Sequence, residues 1–293
     1  MCSFTKPVVR FSEKRPSRSW HMVDATAMHR ESFLLAWVAL WRREVIRFLR
    51  QRSRVIGALG TPLVFWIILG AGLGRSLSVP GVDSMTYLEF SFPAALLTIL
   101  MFTAIFSTFS IIEDRQAGFM QGVIVSPAPR HAIALGKVSG GVTLAVGQAA
   151  LFLALAPMAG IALNAPRVVL TLAALTLVAF ALTSFGAWLA WRMESTQGFH
   201  AVMNLLLMPM LVLSGGFFPA GGSATWLRAT MAANPLSYCV GLLRASLYLG
   251  SDAPHAAPPG GISMSLAICA AFAAIMFHLF TRAVSRDSAA AVT

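Results

Sequence analysis

Apolar residues gather along this chain into long unbroken runs rather than alternating patterns. Six windows free of Asp, Glu, Lys and Arg cover residues 55–74, 90–112, 138–159, 168–191, 199–218 and 262–281. At about 1.5 Å per residue, each reaches across the roughly 30 Å of a bilayer's hydrocarbon. Every backbone amide in hydrocarbon needs an internal partner, so the runs predict helices. Pro62 and Pro209 fall inside two of them, and Asn164-Ala165-Pro166-Arg167 makes a tight turn between the third and fourth.

Two further segments carry a weaker pattern. Over residues 31–54, Phe33, Leu34, Trp37, Leu40, Trp41, Val45, Phe48 and Leu49 recur at three- and four-residue steps. Arg42, Arg43, Arg47, Arg50 and Arg54 fill much of the remaining surface. That arrangement predicts a helix lying in the membrane interface, with a cytoplasmic helix packed on a partner as the alternative. Residues 220–250 are moderately apolar but broken by Gly221, Gly222 and Asn234-Pro235. They predict a segment that dips into the bilayer from outside. A seventh crossing over 236–249 is disfavoured by its short length and by Arg244. The fold class expected is therefore an all-α polytopic membrane protein with six transmembrane helices. An amphipathic interfacial helix precedes them, and a re-entrant outer segment lies between the fifth and sixth.

Composition agrees. Of 293 residues 57% are hydrophobic and 11% charged, with a mean hydropathy of +0.73; soluble domains carry about 25% charged residues. The net charge of +11 is unevenly placed, because residues 1–54 hold 12 of the 22 Lys and Arg. With the N-terminus inside, the four inner segments carry 12, 3, 1 and 2 basic residues, and the outer loops only Arg75, Arg167, Arg228 and Arg244. This bias places both termini in the cytoplasm. No aromatic-basic module accompanies the charge, so no nucleic-acid partner is expected. Residues 1–30 read as a flexible basic tail that is retained, since they hold no apolar signal-peptide core. Residues 31–293 read as one membrane domain, without internal repeats. Cys2, Cys239 and Cys269 are spaced neither as a metal site nor as a disulfide framework.

The largest inner loop leaves the second run through Glu113, Asp114 and Arg115 and passes Gly118, Phe119 and Met120. It then reaches Ser126, Pro127 and Pro129, and re-enters past Arg130 and Lys137. A short helix between the glycine and the prolines would present Phe119, Met120, Val123 and Ile124 to a partner. On the outer side Leu213-Ser214-Gly215-Gly216-Phe217-Phe218-Pro219 is followed by Trp226-Leu227 and Asn234-Pro235-Leu236-Ser237-Tyr238.

Together these two motifs resemble the type-2 ATP-binding-cassette (ABC) exporter permeases, over roughly residues 30–282. The resemblance implies that Glu113, Asp114, Arg115, Gly118, Phe119, Met120, Ser126 and Pro127 belong to the coupling helix that docks on the nucleotide-binding subunit. It also implies that Gly215, Gly216, Phe217, Phe218, Pro219, Asn234 and Pro235 form the outer gate and its re-entrant helices. Asp114 stands where the family often has a second glutamate, which leaves the charge intact. The partners implied are two copies of an ABC ATPase subunit, a second permease copy in a homodimer (or a related permease) and membrane lipids. ATP and Mg would then sit on the ATPase and no cofactor on this chain. The setting implied is the plasma (inner) membrane of a prokaryote.

The absences point the same way. No Gly-x-x-x-x-Gly-Lys-Ser/Thr loop occurs; Gly72-Leu73-Gly74-Arg75-Ser76 lacks the lysine. His21, His29, His131, His200, His255 and His278 fall in separate segments, so no catalytic or metal set is expected. An intramembrane enzyme would need such a set. An ion-coupled transporter, the other rival, commonly places carboxylates within the bilayer. These runs hold no such carboxylate. Beside His200 and His278 their polar groups are Gln148, Asn204 and several Ser and Thr, which suits a lipidic or amphipathic cargo, and the resemblance admits a polymeric one.

Overall fold

The computed structural model describes residues 25–73, 85–125, 129–218, 224–250 and 260–290. The secondary structure there is helical: α1 (Ala25–Arg50), α2 (Arg52–Leu73), α3 (Tyr87–Gln116), α4 (Phe119–Val125), α5 (Arg130–Leu153), α6 (Ala165–Arg192), α7 (Thr196–Val212), α8 (Thr225–Ala233), α9 (Pro235–Leu247) and α10 (Gly261–Ala290). Five of them, α2, α3, α5, α6 and α10, are long and apolar enough to cross a membrane. α7 is apolar but only 17 residues long. The chain is a multi-pass membrane protein.

Local chemistry sets the helix ends. Thr86 caps α3 by accepting from the Glu89 amide at 3.2 Å. Asn164 caps α6 by accepting from the Arg167 amide at 3.0 Å, with Pro166 in the first turn. Ser195 caps α7 by accepting from the Gly198 amide at 3.1 Å. The third apolar run differs from expectation. Its helix spans Arg130–Leu153 and gives way to a 3-10 turn at Ala156–Ala159, closed by Gly160 at φ 88°. Pro157 explains the early stop, since it offers no amide and disfavours the helical conformation before it. At its other end the same helix starts at Arg130, ahead of the apolar run, and so contains Lys137. The fifth run also ends early, at Val212, ahead of Gly215 at φ +73°.

α3 is the axis, buried along most of its length, while α2 and α10 face largely outward. α2, α5, α6, α7 and α9 pack against it, and α10 lies on α6 and α9. Aromatic contacts join the elements: Phe92 stacks on Phe152 at 5.0 Å and Trp66 meets both edge-on, linking α2, α3 and α5. Between α3 and α5, Thr103 donates to Gln148 at 2.6 Å, so two buried polar groups satisfy each other.

α1 departs from the simple two-faced pattern. Leu40 and Phe48 are buried, and Trp37 and Trp41 donate to Ser139 and Thr143 of α5 at 2.9 and 3.0 Å. Yet Leu34, Leu35, Val38, Ile46 and Leu49 point outward, Leu35 with 72% exposure. The helix has two apolar faces, one on α5 and one turned away from the protein. Close approach to α5 depends on Gly136 and Gly140. A Cβ at Gly136 would lie 2.8 Å from Leu40 Cβ, and one at Gly140 would lie 2.6 Å from Glu44 Cβ. Small residues four apart allow such backbone contact.

Candidate functional site

The C-terminal end of α3 gathers charge from four helices. The Asp114 carboxylate is buried and accepts from both Nη atoms of Arg43 at 2.7 and 2.6 Å. It also accepts from Arg47 and Lys137. Lys137 donates to Glu44 as well, at 2.6 Å. Glu113 accepts from Arg47 at 2.6 Å and from Arg54 of α2. Four cations thus surround three carboxylates where α1, α2, α3 and α5 meet. Burial penalises each charge, and mutual satisfaction is what makes the cluster tolerable. The hydrogen bond to Asp114 raises the Arg43 guanidinium above its ordinary pKa against desolvation, so it stays charged.

The next two residues of α3 turn the other way. Arg115 Nη1 donates to the Trp191 carbonyl, and its guanidinium lies 5.7 Å from the Trp191 ring. Gln116 donates to the Glu194 carbonyl at 2.8 Å. One helix end therefore binds α1, α2 and α5 through Glu113 and Asp114, and the α6–α7 link through Arg115 and Gln116.

Gly118, at φ +72°, makes the turn into α4. Phe119 is 39% exposed with Arg43 Cζ 3.8 Å over its ring. Met120 is not presented to a partner as the sequence predicts: it is 2% exposed and belongs to the core. A seven-residue helix lying against α3 must turn one side inward, and Met120 is on that side. Ser126 and Pro127 lie outside the described residues, as does the side chain of Ile124. Lys137, expected as a flank, and Arg43, Arg47 and Arg54, expected as a polar surface, are instead network members. Their sequence positions carry no mark of that, because their partners sit on other helices.

The second motif, from Leu213 to Tyr238, assembles as a knot of backbone carbonyls. Gly216 lies so near α3 that a Cβ would come 2.4 Å from Ala94 Cβ. Tyr87 donates to the Phe217 carbonyl at 3.1 Å. Asn234 caps α9 by accepting from the Leu236 amide at 3.0 Å, and its Nδ2 donates to the Met210 carbonyl at 2.6 Å. Pro235 opens α9. Ser237 donates to the Leu213 and Met231 carbonyls. Arg244 is buried beside this knot, its Cζ 4.5 Å from the Phe90 ring and its Nη2 3.3 Å from the Phe90 carbonyl. Phe218 is half-buried and Pro219 lies outside the described residues. The 13 residues of α9 rise only about 20 Å at 1.5 Å each, too short for a crossing.

Between α2, α3 and α7 lies an open apolar cleft of about 260 Å³, lined by Pro62, Phe65, Trp66, Phe102, Leu211 and Phe217. No titratable side chain among the described residues lines it. Among the described residues no three of His, Cys, Asp or Glu cluster as a metal site. The His200 ring is hydrogen-bonded to Asn204 at 2.9 Å.

Residues 36–248 match the profile of the ABC-2 type transporter family. Nodulation protein J of Neorhizobium galegae is 29% identical over 227 residues, covering 76% of this chain and 85% of that protein. Nodulation protein J of Rhizobium meliloti (strain 1021) is 25% identical over 261 residues, covering 85% of this chain and 93% of that protein. The inner membrane transport permease YhhJ of Escherichia coli (strain K12) is 26% identical over 155 residues, covering 52% and 41% respectively.

Proposed function

This chain belongs to the ABC-2 type transporter family, and on that premise we propose that it is the permease subunit of an exporter whose ATP is hydrolysed by a separate ATPase. The observation that carries this reading is α4, a short helix with an exposed phenylalanine, fastened through the end of α3 to α1, α2 and α5. A partner pressing on α4 would act on four helices at once. In this reading Phe119 and the residues around it dock on the ATPase, which holds ATP and Mg. The chain itself has no catalytic residue.

The membrane arrangement proposed has six crossings. α7 is the sixth such helix: its 17 residues rise about 26 Å, close to the hydrocarbon thickness. α8 and α9 form the re-entrant outer segment, as the length of α9 and the helix break at Gly215 support. The Lys and Arg bias supports cytoplasmic termini, and the inner membrane of a prokaryote is the setting. Half an exporter's usual complement of crossings supports assembly as a homodimer with two ATPase subunits. The apolar cleft supports a lipidic or amphipathic cargo, and the family resemblance supports its movement out of the cytoplasm.

Affinity purification of the full chain from native membranes tests the reading. An ABC ATPase is expected to co-purify, and Phe119→Ala is expected to lose cargo-stimulated hydrolysis while keeping the fold. Transport that persists without any nucleotide-binding partner would instead establish a secondary transporter. Labelling of a cysteine at Gln116 from outside the cell would refute the docking assignment.

A further inference from the structure

The six arginines of the α1–α2 elbow divide into two sets. Arg43, Arg47 and Arg54 are consumed by Glu44, Glu113 and Asp114. Arg42, Arg50 and Arg52 are exposed, and none has an ion-pair partner among the described residues. These three stand beside the outward apolar stripe of α1, Leu34, Leu35, Val38, Ile46 and Leu49, which α2 continues with Ile56 at 68% exposure. On a helical wheel Arg42 falls within that stripe and Arg50 at its edge.

The two features demand different neighbours. An apolar stripe of this length is stable only against hydrocarbon or another apolar surface. Guanidiniums embedded in such a stripe need an anion at the same depth, and long arginine side chains can reach up to it. An anionic phospholipid satisfies both at once, its acyl chains on the leucines and its phosphate on the arginines. We infer that the outer face of the α1–α2 elbow is a binding site for anionic phospholipid headgroups. This rests on the interfacial reading of α1 in the sequence and on the cytoplasmic termini proposed above. The network behind it gives the site a fixed base, because Gly136 and Gly140 hold α1 against α5 with the free arginines outward.

The test uses the full chain, purified in detergent and offered equal amounts of phosphatidylglycerol and phosphatidylcholine, with bound lipids counted by native mass spectrometry. A basic residue near an anionic surface contributes on the order of a fivefold gain in occupancy. The wild type is expected to favour phosphatidylglycerol by about that factor or more. The combined variant R42Q/R50Q/R52Q is expected to bind both lipids alike. Arg228→Gln, a single charge loss at an exposed arginine of α8, should keep the preference, whereas Arg42→Gln alone should weaken it. Should the triple variant fail to fold, raising the salt must erode the wild-type preference, since exposed charge pairs are screened. The inference is overturned by no preference in the wild type, by an unchanged preference in the triple variant, or by one indifferent to salt. Displacement of the bound lipid on adding the ATPase would also overturn it, making the stripe a protein interface. A chain that brings down its ATPase yet shows no lipid preference fails here alone, and the proposed function stands.

Discussion

Lys137 of α5 donates its ammonium protons to Asp114 of α3, and each side chain is 2% exposed to solvent. The two are the innermost pair of a cluster that spreads outward through Arg43, Arg47, Glu44, Glu113 and Arg54. Removing Asp114 leaves Lys137 with Glu44 alone and frees Arg43 from its bidentate partner. Asp114→Ala is expected to destabilise the protein by about 3–5 kcal/mol, the usual result of orphaning buried charges. Lys137→Met should do less harm, because Asp114 keeps two arginines. Thermal unfolding in detergent checks the order, and the double variant should lose less than the two single losses added together.

Steric fit at Gly140 yields a second expectation. A methyl group there would sit 2.6 Å from Glu44 Cβ, so Gly140→Ala must push α1 off α5. Gly147, on the same helix, faces open space: a Cβ added there would meet nothing within 4 Å. Gly147→Ala should be neutral or stabilising by up to about 1 kcal/mol, since alanine is the better helix former. A cross-link between cysteines placed at Trp37 and Ser139 should weaken in the first variant only.

Arg115 and Phe119 are expected to separate in effect. The Arg115 guanidinium is committed to the end of α6 through the Trp191 carbonyl, whereas Phe119 remains partly exposed. Phe119→Ala should reduce recovery of the ATPase several-fold. Arg115→Glu should chiefly loosen the α6–α7 link, read as faster proteolysis near Glu194. Equal loss of the ATPase in both variants would mean that Arg115 belongs to the docking surface after all.

A fourth expectation concerns thiols. Cys239 of α9 and Cys269 of α10 are both free, with their sulfurs 3.6 Å apart in the buried contact of these helices. Copper–phenanthroline, a small membrane-permeant oxidant, should join them within one chain by removing two electrons and two protons. Titration of thiols after denaturation should then fall by two, and Cys269→Ser should abolish the change.

The amino-acid order alone determined where the long apolar helices lie, although α5 and α7 end several residues ahead of their apolar runs. A window of about 20 apolar residues and the absence of water in hydrocarbon decide a helix locally, whatever surrounds it. Capping by Asn164, Ser195 and Asn234 and the breaks at Pro157 and Gly215 are local in the same sense. Both motifs could be recognised because their glycines and prolines act on their own backbone. Partner choice is different. Which carboxylate meets Arg43, whether Met120 faces in or out, and how Cys239 finds Cys269 depend on surfaces brought together across tens of positions. Only the packing of α1 on α5 and of both α1 and α2 on the end of α3 decided that three elbow arginines are ion-paired and three have no such partner among the described residues.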